Sequence, residues 1–253
     1  MKVIIVGSGN VATHLALAFL DADIEVSQVW SNNYGNALNL ATKVSAQAIE
    51  NLNEVDNDAD LLVIAIKDDA IAETLARLVH FKGIIVHTAG SVNLNIFENK
   101  IKNFGVLYPL QTFSKDKTLD FRIIPLCVEA NNHETLAFIK AVAIKLSDKV
   151  EEVDSERRKV LHLSAVFACN FTNHLYALAA NLLAENDLKF DLIKPLIKET
   201  ANKILTTTPK NAQTGPAVRN DEQTLKSHEA MLVKRPTLLE IYKTLSNSIK
   251  KHI

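Results

Sequence analysis

Met1-Lys-Val-Ile-Ile-Val-Gly-Ser-Gly-Asn-Val-Ala-Thr-His-Leu-Ala16 reads as a short buried strand running into a glycine turn and then a helix. Lys2 to Val6 is a β-branched apolar run, as a strand covered on both faces requires, and Val11, Leu15 and Ala18 then recur at helical spacing. The period changes at the glycines. Gly7 suits the tight turn out of the strand, and Gly9 lacks the β-carbon that would hold a diphosphate away from the backbone. Ala12 takes the third small position, where the helix packs on the strand. The first turn of that helix offers amides without partners and the positive end of a dipole, so Gly7, Ser8, Gly9, Asn10 and Val11 are expected to cradle the pyrophosphate of a dinucleotide. Strand, glycine spacing and helix occur together, which an isolated glycine pattern does not provide.

The 253 residues, 47% of them hydrophobic, can fill a sizeable core. Twenty-eight basic residues stand against twenty-nine acidic ones, a formal charge of −1, so no global field favours nucleic acid or an acidic membrane. Cys127 and Cys169 stand apart and suggest neither a disulfide framework nor a metal cluster. Cys169 is expected to be a small core residue. The chain enters the fold at residue 3 without a charged leader, and no apolar stretch is long enough to span a bilayer, so the cytoplasm is expected.

Short apolar runs at Val26–Trp30, Leu61–Ile66, Gly83–His87, Gly105–Tyr108, Ile124–Glu129 and Lys149–Val153 alternate with helical stretches such as Asp69–Val79, opening on Asp68 as cap, and His133–Leu146. This alternation predicts a doubly wound parallel α/β sheet of Rossmann type over residues 1–152. After residue 153 the strand signals stop, and residues 153–253 are expected to form an all-helical domain with helices near Ser155–Glu185, Asp191–Thr207, Asp221–Val233 and Pro236–Ile253.

Ligands of open α/β sheets collect beyond the carboxyl ends of the strands. At the end of Val26–Trp30, Ser31, Asn32 and Asn33 offer donors and no carboxylate, which favours a 2′-phosphate and hence NADP, with NAD as the alternative. Ile66 and Lys67 end another strand. His87 and Thr88 end a third, where a nicotinamide ring would lie, and Gly90 lets the chain pass the cofactor closely.

The helix from Ser155 is apolar on several sides, through Leu161, Ala165, Val166, Ala168, Leu175, Leu178 and Leu182, and is expected to be buried nearly all round. At about 100° per residue, His162, Asn170 and Asn173 fall within an arc of about 80°. They are expected to form a polar stripe facing substrate, with His162 the first choice of acid/base, His87 the second, and Asn170 and Asn173 orienting the reacting atoms. Arg219, just before the cap residue Asp221, has the forked geometry to clamp a carboxylate. For His228 a place on a helix face suffices, and the histidines show no metal-ligand spacing.

Four segments carry a family resemblance: Val6-Gly-Ser-Gly-Asn-Val-Ala12; His87-Thr-Ala-Gly90 with Leu107-Tyr-Pro-Leu-Gln-Thr-Phe113; His162-Leu-Ser-Ala-Val-Phe-Ala-Cys-Asn170; and Thr214-Gly-Pro-Ala-Val-Arg-Asn-Asp221 with His228. The chain resembles the Rossmann-like bacterial proteins with a C-terminal domain of unknown function that belong with pyrroline-5-carboxylate reductase, deazaflavin-dependent NADP reductases and the 6-phosphogluconate-dehydrogenase-like group. It departs from them where Tyr108 replaces a frequent histidine, Leu161 a tyrosine and Asn220 a glycine. The resemblance implies a nicotinamide cofactor and a homodimer. The expected reaction moves hydride between NADP and the carbonyl or imine carbon of a small, carboxylate-bearing metabolite, a keto acid such as ketopantoate being one analogy. The alternatives are a non-catalytic NADP-binding sensor and an enzyme using a deazaflavin hydride donor.

Overall fold

The computed structural model describes residues 1–252; the expected helix end at Ile253 lies outside them. The chain divides into two compact units, Met1–Asn170 and Phe171–Ile253.

The first unit is built on an eight-stranded sheet of β1 (Lys2–Val6), β2 (Glu25–Trp30), β3 (Gln47–Ile49), β4 (Leu61–Ile64), β5 (Ile84–His87), β6 (Phe104–Pro109), β7 (Leu126–Ala130) and β8 (Val150–Glu152), in the order β3-β2-β1-β4-β5-β6-β7-β8. The order reverses between β1 and β4, where the chain switches from winding one way to winding the other. Side chains alternate across each strand. Val3 and Ile5 therefore join Leu15, Phe19, Leu40 and Ile139 on one face, while Ile4 and Val6 join Leu62, Ile71, Leu75 and Phe97 on the other. The two-sided cover accounts for the unbroken apolar strands.

Two strand details differ from expectation. β3 is only three residues long, too short for a periodic signal. β7 runs antiparallel to β6, whereas all other pairs are parallel. The reason lies between them: the connection holds only a 3₁₀ turn at Phe121–Ile123, and a parallel return needs a full crossover element.

The helices of this unit are α1 (Asn10–Asp21), α2 (Tyr34–Lys43), α3 (Ile71–Ala76), α4 (His133–Leu146) and α5 (Ser155–Ala165). α4 opens on Asn132, whose side chain accepts from the Thr135 amide at 2.8 Å. Asp68 caps nothing. It begins a 3₁₀ turn, Asp68–Ala70, and its carboxylate accepts the Ser91 hydroxyl instead.

α5 is followed by a π-helical segment, Val166–Phe171. The second unit contains α6 (Thr172–Ala184), α7 (Lys194–Thr206), α8 (Pro209–Ala212), α9 (Glu222–Leu232) and α10 (Pro236–His252). Burial nearly all round is not found along α5 to α6: Leu163 is 56% exposed, Cys169, Asn170 and Asn173 are exposed, and α6 has no buried residue. The wider π turn also breaks the 100° step on which the arc of His162, Asn170 and Asn173 rests. Among the described residues no helix is long and apolar enough to cross a membrane, and no cluster of ligating side chains could hold a metal ion.

Candidate active site

A cavity of about 730 Å³ opens at the carboxyl ends of β1, β2, β4, β5 and β6. Gly7, Ser8, Gly9, Asn10 and Val11 line it from β1 and the start of α1, Ser31 and Asn32 from the end of β2, Ile66 and Lys67 from β4, and Thr88 from β5. Gly7 has φ +132°, and a β-carbon there would run into the Ala65 carbonyl at the end of the neighbouring strand. The turn thus presses two strand ends together, which only glycine permits. Gly9 is the opposite case: nothing lies within 4 Å of where its β-carbon would stand. The first intrahelical bond of α1 runs from Thr13 to the Gly9 carbonyl at 2.9 Å, and no side chain caps the preceding amides. An open cradle of donor amides is what a diphosphate fits. The Ser31 and Ser8 hydroxyls are 2.8 Å apart, and Asn33 spends its side chain capping α2 by accepting from the Asn36 amide at 3.1 Å. No carboxylate stands at that strand end, so the donors suit a phosphorylated ribose.

The two histidines named as acid/base candidates occupy different environments. His87 is fully buried, stacks on Phe97 at 5.5 Å, and its Nδ1 accepts the Ala89 amide at 3.1 Å. Burial, with the charge of Arg158 second, holds its pKa down at about 3. It stays neutral and does not line the cavity. His162 does line it, half-buried on α5. Its Nδ1 lies 3.1 Å from the hydroxyl of Tyr108, another lining residue, with the rings nearly perpendicular at 70°. Gly90 makes this possible, because a β-carbon there would come within 2.6 Å of His162 Nδ1. Burial, reinforced by Cys127, pushes the Tyr108 phenol up to about 12, so it remains a proton donor at neutral pH.

Tyr108, Asp68 and Gln111 also line the cavity; they stand at strand ends where ligands of such sheets collect, but sequence reasoning assigned them no role there. Their signal was position alone, Tyr108 at the carboxyl end of β6 and Asp68 and Gln111 beyond the ends of β4 and β6. Asn170 is exposed and absent from the lining, while Asn173 and Arg219 lie exposed in the second unit. In that unit Asp221 caps α9 by accepting from the Thr224 amide at 3.2 Å, and His228 Nδ1 lies 2.9 Å from the Tyr242 hydroxyl.

Fold and cavity together define a dinucleotide-binding protein of the Rossmann class. Residues 2–89 match the family described as NADP oxidoreductase, coenzyme F420-dependent, and residues 124–249 match the domain of unknown function DUF2520. Over 99% of this chain and 98% of the other, the structure is similar to the "putative NADP oxidoreductase" BF3122 from Bacteroides fragilis, with 46% identity and a TM-score of 0.94. The chain belongs to this family of NADP oxidoreductases, with an N-terminal NADP oxidoreductase domain followed by DUF2520. The fold is shared more distantly with an imine reductase from Myxococcus stipitatus in complex with NADP+ (16% identity, 99% and 93% of the two chains, TM-score 0.68) and with a 1-pyrroline-5-carboxylate reductase from Streptococcus pyogenes (13%, 99% and 98%, 0.66). No match is found among curated proteins.

Proposed function

We propose that this protein is an NADP-dependent reductase acting on the C=N or C=O bond of a small, carboxylate-bearing metabolite, with His162 and Tyr108 handling the proton. The observation that carries the reading is the 3.1 Å contact of Tyr108 Oη with His162 Nδ1 in the wall of the dinucleotide cavity. The names of the distant neighbours, imine reductase and pyrroline-5-carboxylate reductase, support an imine before a keto acid.

Gly7 to Val11 hold the diphosphate, Ser8, Ser31 and Asn32 hold the ribose phosphate, and Thr88 borders the site at the end of β5. NADPH bound there supplies the hydride and its electron pair. Tyr108, kept neutral by burial, gives its proton to the nascent amine or alkoxide and takes back the proton carried on His162 Nδ1, which solvent then restores. His87 serves the ground structure by bracing the turn through Ala89. Asn170 and Asn173 are proposed to orient the substrate, and Arg219 to hold its carboxylate. The protein is proposed to act as a cytoplasmic homodimer.

A panel of cyclic imines and 2-keto acids, including pyrroline-5-carboxylate and ketopantoate, assayed by NADPH oxidation, tests this. Turnover of an imine, faster with NADPH than with NADH, is expected. Binding of NADP without turnover of any compound would favour a sensor, and hydride exchange only with a deazaflavin would favour that donor.

A further inference from the structure

Arg158 is an arginine where the helix pattern requires only a small or apolar residue. It is 0% exposed and lies on α5 four residues before His162, about 6 Å along the same helix face. Its guanidinium pairs with the Glu129 carboxylate on β7 and donates to the Val92 carbonyl at 2.6 Å and to Ser155 Oγ at 3.2 Å. Glu129 also accepts the Ser155 amide at 3.0 Å, and Ser155 Oγ accepts the Leu94 amide at 2.9 Å. One ion pair, its arginine fully buried and its carboxylate half-buried, therefore ties together the first turn of α5, strand β7 and the loop that follows β5.

Those three segments carry or adjoin the proton-handling groups. The loop holds Gly90, which abuts the His162 ring; β7 pairs with β6 so that Tyr108 lies opposite Cys127, two residues from Glu129; and α5 holds His162 itself. Apolar packing at this seam is slight, a cluster of Val106, Tyr108 and Cys127 with Leu161, Val153 and Leu94 against it. Helix initiation does not require Arg158 either, because Asp154 already caps α5 by accepting the Arg157 amide at 2.8 Å. A desolvated ion pair is seldom retained for stability, since apolar residues of the same volume often serve as well or better. What it supplies is direction, because a forked guanidinium bonded to two other segments fixes both the rotation and the advance of the helix.

We propose that the Arg158–Glu129 pair is a positioning device for the reaction, setting α5 so that His162 meets Tyr108 at the mouth of the dinucleotide cavity. The inference rests on the reading of His162 as the proton-handling group. Neither Arg158 nor Glu129 touches the cavity, so both act through His162.

The test uses Arg158→Met/Glu129→Gln, which removes both charges and leaves neither partner buried alone. At one fixed pH, ¹⁵N spectra of the His162 imidazole are compared between the wild type, this variant and Tyr108→Phe, which marks the signal of the lost hydrogen bond. The expected result is a folded protein with unchanged NADP affinity, a His162 signal moved to that of Tyr108→Phe, and turnover lowered by up to about a hundredfold, as for a reacting group misplaced by an ångström. In a His162→Ala background the same pair of substitutions should add no further loss. A folded variant whose His162 signal is unchanged from the wild type would overturn the proposal. Should the double variant not fold, Arg158→Lys is read in the same way, because it keeps the charge but cannot span Glu129 and the Val92 carbonyl together. If His162→Ala retains full turnover, the proton-donor reading fails while the ¹⁵N comparison still decides the positioning.

Discussion

The residue scale separates two histidines that look alike in the sequence. His162 faces the cavity with a phenol at hydrogen-bond distance, while His87 is sealed behind it. His162→Ala should lower turnover by about 10² to 10⁴ with NADP affinity unchanged. Tyr108→Phe should cost about tenfold to a hundredfold, the worth of one buried hydrogen bond, and steady-state kinetics beside calorimetric titration checks both. His87 predicts a pH effect instead. Its folded pKa is depressed to about 3 from 6.5, so its contribution to stability is complete above 6.5. As the pH falls below that, the unfolded chain takes up a proton that the folded site refuses, and stability declines until about pH 3, at about 1.4 kcal/mol for each unit. His87→Phe, which can still stack on Phe97, should flatten the acid limb of urea-denaturation stability. An unchanged limb would mean that His87 does not stay neutral.

At the scale of elements, β1, its turn and α1 were legible from Lys2 to Ala18 because a two-sided strand and an amphipathic helix have different periods and the glycines mark the change. The same unit yields a contrast between its two glycines. Gly7→Ala drives a β-carbon into the Ala65 carbonyl at an unfavourable φ and should destabilise the protein by about 1 to 3 kcal/mol or more. Gly9→Ala meets no protein atom, so stability should change by less than about 1 kcal/mol while NADP affinity falls. Thermal melts and titrations on the two variants would show whether the space above Gly9 belongs to the cofactor; an unchanged affinity for Gly9→Ala would place the diphosphate elsewhere. The π segment at Val166–Phe171 was not legible, because a change from 3.6 residues per turn leaves no mark in composition.

For the whole molecule, exposed apolar side chains are the main unexplained feature. In the second unit Leu192 is 65% exposed, Leu196 68%, Leu205 81% and Met231 67%, more than a lone soluble chain usually shows at so many sites. A closed twofold assembly would cover such faces, and a homodimer is the expected outcome of light scattering at micromolar concentration. Leu196→Glu/Leu205→Glu should shift the protein toward monomer. A wild-type protein that is already a stable monomer would remove this explanation for the exposed leucines.

Local pattern alone was enough for the Rossmann-type half, the helical half and the strand ends where a cofactor would lie, since strand and helix periods, glycine spacing and capping residues act over a few positions. Seven of the eight strands and the capping of α9 by Asp221 follow from that short range. The direction of β7, the meeting of Tyr108 with His162, the sealing of His87 behind Phe97 and the burial of Arg158 against Glu129 join residues 10 to 54 positions apart or depend on how layers stack around them. No local period encodes such distances. They were decided only when the sheet brought the ends of β5, β6 and β7 side by side and laid α5 across them.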